Sequence, residues 1–130
     1  MEVRILDASE AAQLARVADG VFDNPVNANL AKEFLLDPRH HIAVAIEDRV
    51  VIGMASAVHY IHPDKPAELC INEVSVAALF RNRGIGKLIM KTLFDLTNVS
   101  AARWLGYSQK MTMRAQSVFT KRCPERLREQ

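Results

Sequence analysis

The stretch Asn72-Glu73-Val74-Ser75-Val76-Ala77-Ala78-Leu79-Phe80-Arg81-Asn82-Arg83-Gly84-Ile85-Gly86-Lys87 decides how this chain folds. Its opening residues read as a strand, its two glycines as a turn, and residues 84–97 as an amphipathic helix. In that helix Ile85, Leu88, Ile89, Leu93 and Leu96 share one face, while Lys87, Lys91 and Asp95 fall largely elsewhere. Glycine lets backbone approach a ligand closely, and a helix N-terminus presents unpaired N–H groups with a partial positive charge. Together they form an anion site suited to a pyrophosphate, to which Arg81, Arg83 and Lys87 add positive charge.

Other phosphate-binding loops fit this turn badly. A Walker loop needs glycine where the chain has Arg81, and serine or threonine where it has Leu88. The dinucleotide fingerprint needs a third glycine where the chain has Ile89.

Working outward, Val3 and Ile5 alternate with polar neighbours as in a short strand. Residues 8–19 and 27–36 read as helices, separated by a break at Pro25 and closed by Asp37-Pro38. His41 to Ile46 and Val50 to Tyr60 form a hairpin around Glu47-Asp48-Arg49. A loop through His62-Pro63-Asp64-Lys65-Pro66 leads to a strand over Glu68 to Val76. The order β-α-α-β-β-β-α predicts a mixed α/β sheet. Further on, residues 103–107 read as a short strand, residues 108–122 show no clean period, and residues 123–130 are a charged end.

The 130 residues suit one domain, and 49% hydrophobic with 25% charged residues is the profile of a soluble globular protein. No apolar run approaches the roughly 20 residues of a membrane span, and the N-terminus lacks a secretory pattern. Cys70 and Cys123 make no disulfide framework or metal set, so a reducing cytoplasm is expected and Cys70 reads as a small core residue. His40-His41, His59 and His62 have no supporting carboxylate or cysteine pattern, and no metal is expected. Charge is uneven: residues 1–102 carry 10 Lys/Arg and 13 Asp/Glu, residues 103–130 carry 7 and 2. The basic end lacks interleaved aromatics, and Trp104 reads as a cap on the core, so a solvated tail is expected and no nucleic acid partner.

Arg81-x-x-Gly84-x-Gly86 resembles the Arg/Gln-x-x-Gly-x-Gly/Ala signature of the GNAT N-acetyltransferases, and the preceding strand, following helix and element order resemble that family too. The likeness covers roughly residues 1–105. It implies an α/β fold with a mixed, mostly antiparallel sheet flanked by helices. An acetyl-CoA-binding domain would span 1–107, followed by an atypical basic tail over 108–130 with the C-terminal part of the fold incomplete. Val51-Ile52-Gly53 and the strand over residues 68–76 look most like the aminoglycoside 3-N-acetyltransferase branch. The resemblance further implies that main-chain groups at Val74 and Val76 hold the pantetheine arm of acetyl-CoA. The amides of Arg81, Asn82, Arg83, Gly84, Ile85, Gly86 and Lys87 would hold its pyrophosphate. The acetyl group would pass directly to a primary amine of a small, aminoglycoside-like molecule. Glu73 is the candidate base for that amine; a solvated strand carboxylate is the alternative reading.

The chain departs from the family after residue 105. The usual C-terminal helix with its Leu-Tyr pair, whose tyrosine protonates the departing thiolate, is missing, and Tyr107 stands in the wrong place. Back-translating residues 110–121 and reading one base earlier allows Asp-Asp-Asp-Ala-Arg-Ala-Lys-Arg-Leu-Tyr-Gln, which restores that helix. A frameshifted or truncated member of the family is therefore expected, the frame changing near Gly106, and the nucleotide sequence tests it. Such a chain would expose sheet edge and favour a homodimer. A domain that binds CoA without turnover is the alternative function.

Overall fold

The computed structural model describes residues 1–64 and 68–97. The expectations for residues 98–130 (the short strand, Trp104, Tyr107, Cys123, the basic tail and the altered frame) lie outside them.

Four strands, β1 (Glu2–Ile5), β2 (His40–Glu47), β3 (Val50–Tyr60) and β4 (Glu68–Val76), form one antiparallel sheet in sequence order. An isolated parallel bridge joins Val17 to Val51. Among the described residues there are two α-helices, α1 (Ala28–Leu36) and α2 (Ile85–Thr97). The β2–β3 turn places Asp48 and Arg49 in the left-handed region, at φ 50° and 68°.

Strand alternation divides the core in two. Ala43 and Ala45 of β2, with Ile52, Ala55 and Ala57 of β3 and Val74 and Val76 of β4, pack under Ile85, Ile89 and Leu93 of α2. Ile42, Val44 and Ile46 of β2 pack on the other face with Leu14, Ala31 and Leu35. Small residues under α2 allow the helix to lie close to the sheet. Cys70 is buried in β4 and is disulfide-bonded, which corrects the expectation that the cysteines make no disulfide. The buried face of α2 is the one its 3.6-residue period predicts, although Leu88 falls at its margin and remains partly exposed.

The expected helix over 8–19 is a shorter 3-10 segment, Ala8–Ala15, with non-helical backbone at Glu10. A capping box starts it: the Ser9 amide donates to Asp7, and the Asp7 amide donates to Glu10. Tertiary bonds then override its helical period. Val51 N donates to Arg16 O at 2.8 Å and Ala18 N to Val51 O at 2.9 Å, drawing the chain alongside β3. α1 begins as expected, with the Asn27 side chain accepting from the amides of Asn29 and Leu30.

Gly53 is where sheet and helix meet most closely. A Cβ there would lie 3.0 Å from Ile89 Cδ1, 3.2 Å from the Ser75 carbonyl oxygen and 3.4 Å from Val76 Cγ2. Gly53→Ala is expected to cost about 1–3 kcal/mol in urea unfolding, because backbone as well as side chain must move. Unchanged stability would contradict the close approach of β3, β4 and α2.

Candidate active site

The turn between β4 and α2 is fixed by a short 3-10 segment, Ala78–Phe80, and by one side chain. Arg81 Nε donates to the Val76 carbonyl at 2.9 Å, tying the turn back to the end of the strand. Asn82 (φ 65°) and Gly84 (φ 77°) are left-handed, a conformation that asparagine tolerates and glycine adopts freely. The Leu88 amide donates to the Gly84 carbonyl at 3.2 Å, which opens the helical ladder. The amides of Ile85, Gly86 and Lys87 therefore have no carbonyl within the helix to donate to.

No atom lies within 4 Å of a Cβ built on Gly84, so the turn faces open space there. Arg81, Arg83, Gly84 and Lys87 are exposed, whereas Ile85 and Gly86 are buried. Ile85 thus offers only its main chain, its side chain belonging to the core. The Arg83 guanidinium lies 5.5 Å from the Phe80 ring centroid. Positive charge and orphan amides converge on one turn, as an anion site requires.

Beside this turn runs the edge of β4 that faces away from β3. Ala77 N donates to Ile52 O at 2.7 Å. Alternation along the antiparallel register then directs the main-chain groups of Ser75 toward β3 and those of Val74 and Val76 toward the opposite edge. The Val76 carbonyl takes the Arg81 bond. The Val76 amide and both main-chain groups of Val74 face the free edge, on which no strand pairs among the described residues. Their side chains are buried.

The register shifts between Ser56 and Ala57, leaving Asn72 as an extra residue in β4. The bulge turns Asn72 and Glu73 to the same face, where both line a cleft of ≈ 470 Å³ with Phe22, Asp23, Leu30 and Phe34. Glu73 is half-buried. Desolvation, then the nearby Asp23 carboxylate, push its pKa up. Next along the strand, Ser75 Oγ donates to the Gly20 carbonyl at 3.3 Å, which pins the segment carrying Asp23.

Sequence reading missed Asp23 and the bulge. The bulge did leave a signal: apolar positions 69, 71, 74 and 76 break step across the adjacent polar pair Asn72-Glu73. It also missed the contact of His41 Nε2 with His59 Nδ1 at 2.7 Å, made across the β2–β3 hairpin. Burial, then His59 and His40, hold the His41 pKa below its ordinary value.

Glu73 should titrate above the ordinary glutamate range in a carboxyl-carbon NMR experiment, and its midpoint should fall in Asp23→Asn. Because the folded pKa is raised, Glu73's contribution to stability is complete below the unfolded pKa and declines as pH rises through the folded value. An ordinary midpoint unmoved by Asp23→Asn would contradict this electrostatic coupling.

Several solved structures share the fold. An aminoglycoside acetyltransferase from an uncultured soil metagenomic sample is 22% identical, with 78% of this chain and 72% of that chain covered and a TM-score of 0.61. A second such enzyme from a soil sample, solved with sisomicin, is 14% identical with 95% and 91% covered and a TM-score of 0.66. The aminoglycoside N-acetyltransferase AAC(6')-Iy, solved with CoA, is 17% identical with 95% and 91% covered and a TM-score of 0.60. At these identities the likeness establishes the fold alone. No curated protein sequence matches the chain. The profile of the Acetyltransferase (GNAT) family matches residues 8–123, running beyond the expected boundary at 107. With a strand edge, a glycine turn and a helix N-terminus meeting in this fold, the chain belongs to the GNAT family of acetyl-CoA-dependent acetyltransferases.

Proposed function

We propose that this chain acetylates a primary amine of a small, aminoglycoside-like molecule by direct transfer, with Glu73 as the base. One observation carries this reading: β4 borders the glycine turn with its free edge and turns Glu73 into a cleft on the adjoining face. Acetyl-CoA supplies the activated acetyl thioester. The main-chain groups of Val74 and Val76 hold the extended part of that donor along the free edge. The amides from Asn82 to Lys87 hold its pyrophosphate, with Arg81, Arg83 and Lys87 lending charge; the Arg81 amide, expected among them, donates instead to the Ala78 carbonyl. Arg81 also keeps the turn seated on β4.

The acceptor enters as an ammonium and must lose a proton before its nitrogen can attack. The Glu73 carboxylate takes that proton, directly or through one water, and its raised pKa brings it nearer the optimum for a base at neutral pH. The amine nitrogen then forms the new bond to the acetyl carbon as the bond to sulfur breaks, and the second proton of that nitrogen passes to the departing thiolate, directly or through water, so that CoA leaves as the thiol. The sequence pattern at Val51-Ile52-Gly53 and residues 68–76 favours an acceptor of the aminoglycoside 3-N type. The reading includes a cytoplasmic location and a homodimer, and light scattering measures the latter.

A second reading is CoA binding without turnover, favoured by the lack of a Leu-Tyr pair after Tyr107 in the sequence as it stands. Thiol release and mass spectrometry of an aminoglycoside panel separate the two. The transfer reading predicts acetylated amine, and a kcat about 10²–10⁴-fold lower in Glu73→Gln. Wild-type rate should climb with pH as Glu73 ionises, and that limb should vanish in the variant. Turnover that is indifferent to Glu73→Gln would remove Glu73 from the mechanism.

A further inference from the structure

The acceptor cleft holds more negative charge than one reacting amine explains. Asp23 lines it with Glu73, and no lysine or arginine lines it among the described residues. Asp23 also borders a second hollow of ≈ 440 Å³ beside Asp19 and Gly20, so there is room on its far side for the rest of a substrate. Its position is not a loose one. Pro25 and the Asn27 cap lead into α1 on one side of it, and the Ser75–Gly20 bond holds the other.

We propose that Asp23 is a specificity residue of this cleft: it holds a second ammonium group of the acceptor while Glu73 receives the reacting one, so that diamines and polyamines are preferred over monoamines. This rests on the acetyl-transfer reading above. The physical ground is charge balance. Two carboxylates share a partly desolvated cleft, and their mutual repulsion, which contributes to the raised pKa of Glu73, is relieved fully only by a ligand carrying two positive charges. A monoamine answers one carboxylate and leaves the other opposed by nothing. Phe22, Phe34 and Leu30 supply apolar wall for the carbon frame between the amines, and Asn24 and Ser56 supply neutral polar groups. A hydroxylated polyamine fits that lining better than an aliphatic one.

Calorimetry with 1,4-diaminobutane and butylamine, run on the full chain with CoA present, tests this without requiring turnover. Wild type should bind the diamine more tightly. Asp23 is exposed, so Asp23→Asn should cut the preference by about three- to fivefold, and Asp23→Glu should restore it. Circular dichroism confirms that the variants are folded. Equal binding of both amines by wild type, or a full preference kept in folded Asp23→Asn, would overturn the proposal. Acetyl transfer measured in parallel keeps the two readings apart. Turnover without diamine preference removes this inference alone, and preference without turnover removes the transfer reading alone.

Discussion

The bond from the Arg81 guanidinium to the Val76 carbonyl is the constraint on which the site depends. It ties the turn that leads into α2 back to the last residue of β4, beside the strand's free edge. The left-handed backbone at Asn82 and Gly84 makes that closure sterically feasible. Beneath it, Gly53 leaves room for Val76 and Ile89 to pack against β3. An ordinary side chain at Gly53 would push on β4 and α2 together, the two elements whose relative position defines the turn. Packing density in the core and geometry at the surface are thus one problem.

β4 does two jobs because its alternation is interrupted. Without the bulge, Asn72 and Glu73 would point to opposite faces and only one could enter the cleft. With it, both line the cleft, while Val74 and Val76 return to the α2 core and offer main chain at the edge. Free main-chain groups at the edge and cleft-lining side chains are therefore separated on a single strand. Burial of Glu73, and then the nearby Asp23 carboxylate, raise its proton affinity.

Much of this was legible in the sequence, and the reasons differ by element. The 3.6-residue period of residues 85–97 predicted which face of α2 is buried, because a helix against a sheet has one apolar stripe and little else competes. Gly84 predicted the turn, because its left-handed backbone suits few residues other than glycine; Gly86 lies within the first turn of α2. The 8–19 segment was misread because its period is set locally while its path is set by hydrogen bonds to Val51, far along the chain. Asp23 was invisible for the same reason: its partner, Glu73, lies fifty positions away and meets it only across the fold. Likewise His41 and His59 meet only through the hairpin register.

Titration calorimetry of acetyl-CoA against this chain and its Gly84→Asp variant tests the central claim most directly. Asp at position 84 would set a side chain and a negative charge into the open space of the turn, at a backbone angle that disfavours it. Saturable one-site binding by the wild type, weakened about tenfold or more in the folded variant, is the result this account predicts. Equal affinity in the two proteins, or no binding by a folded wild type, would contradict it.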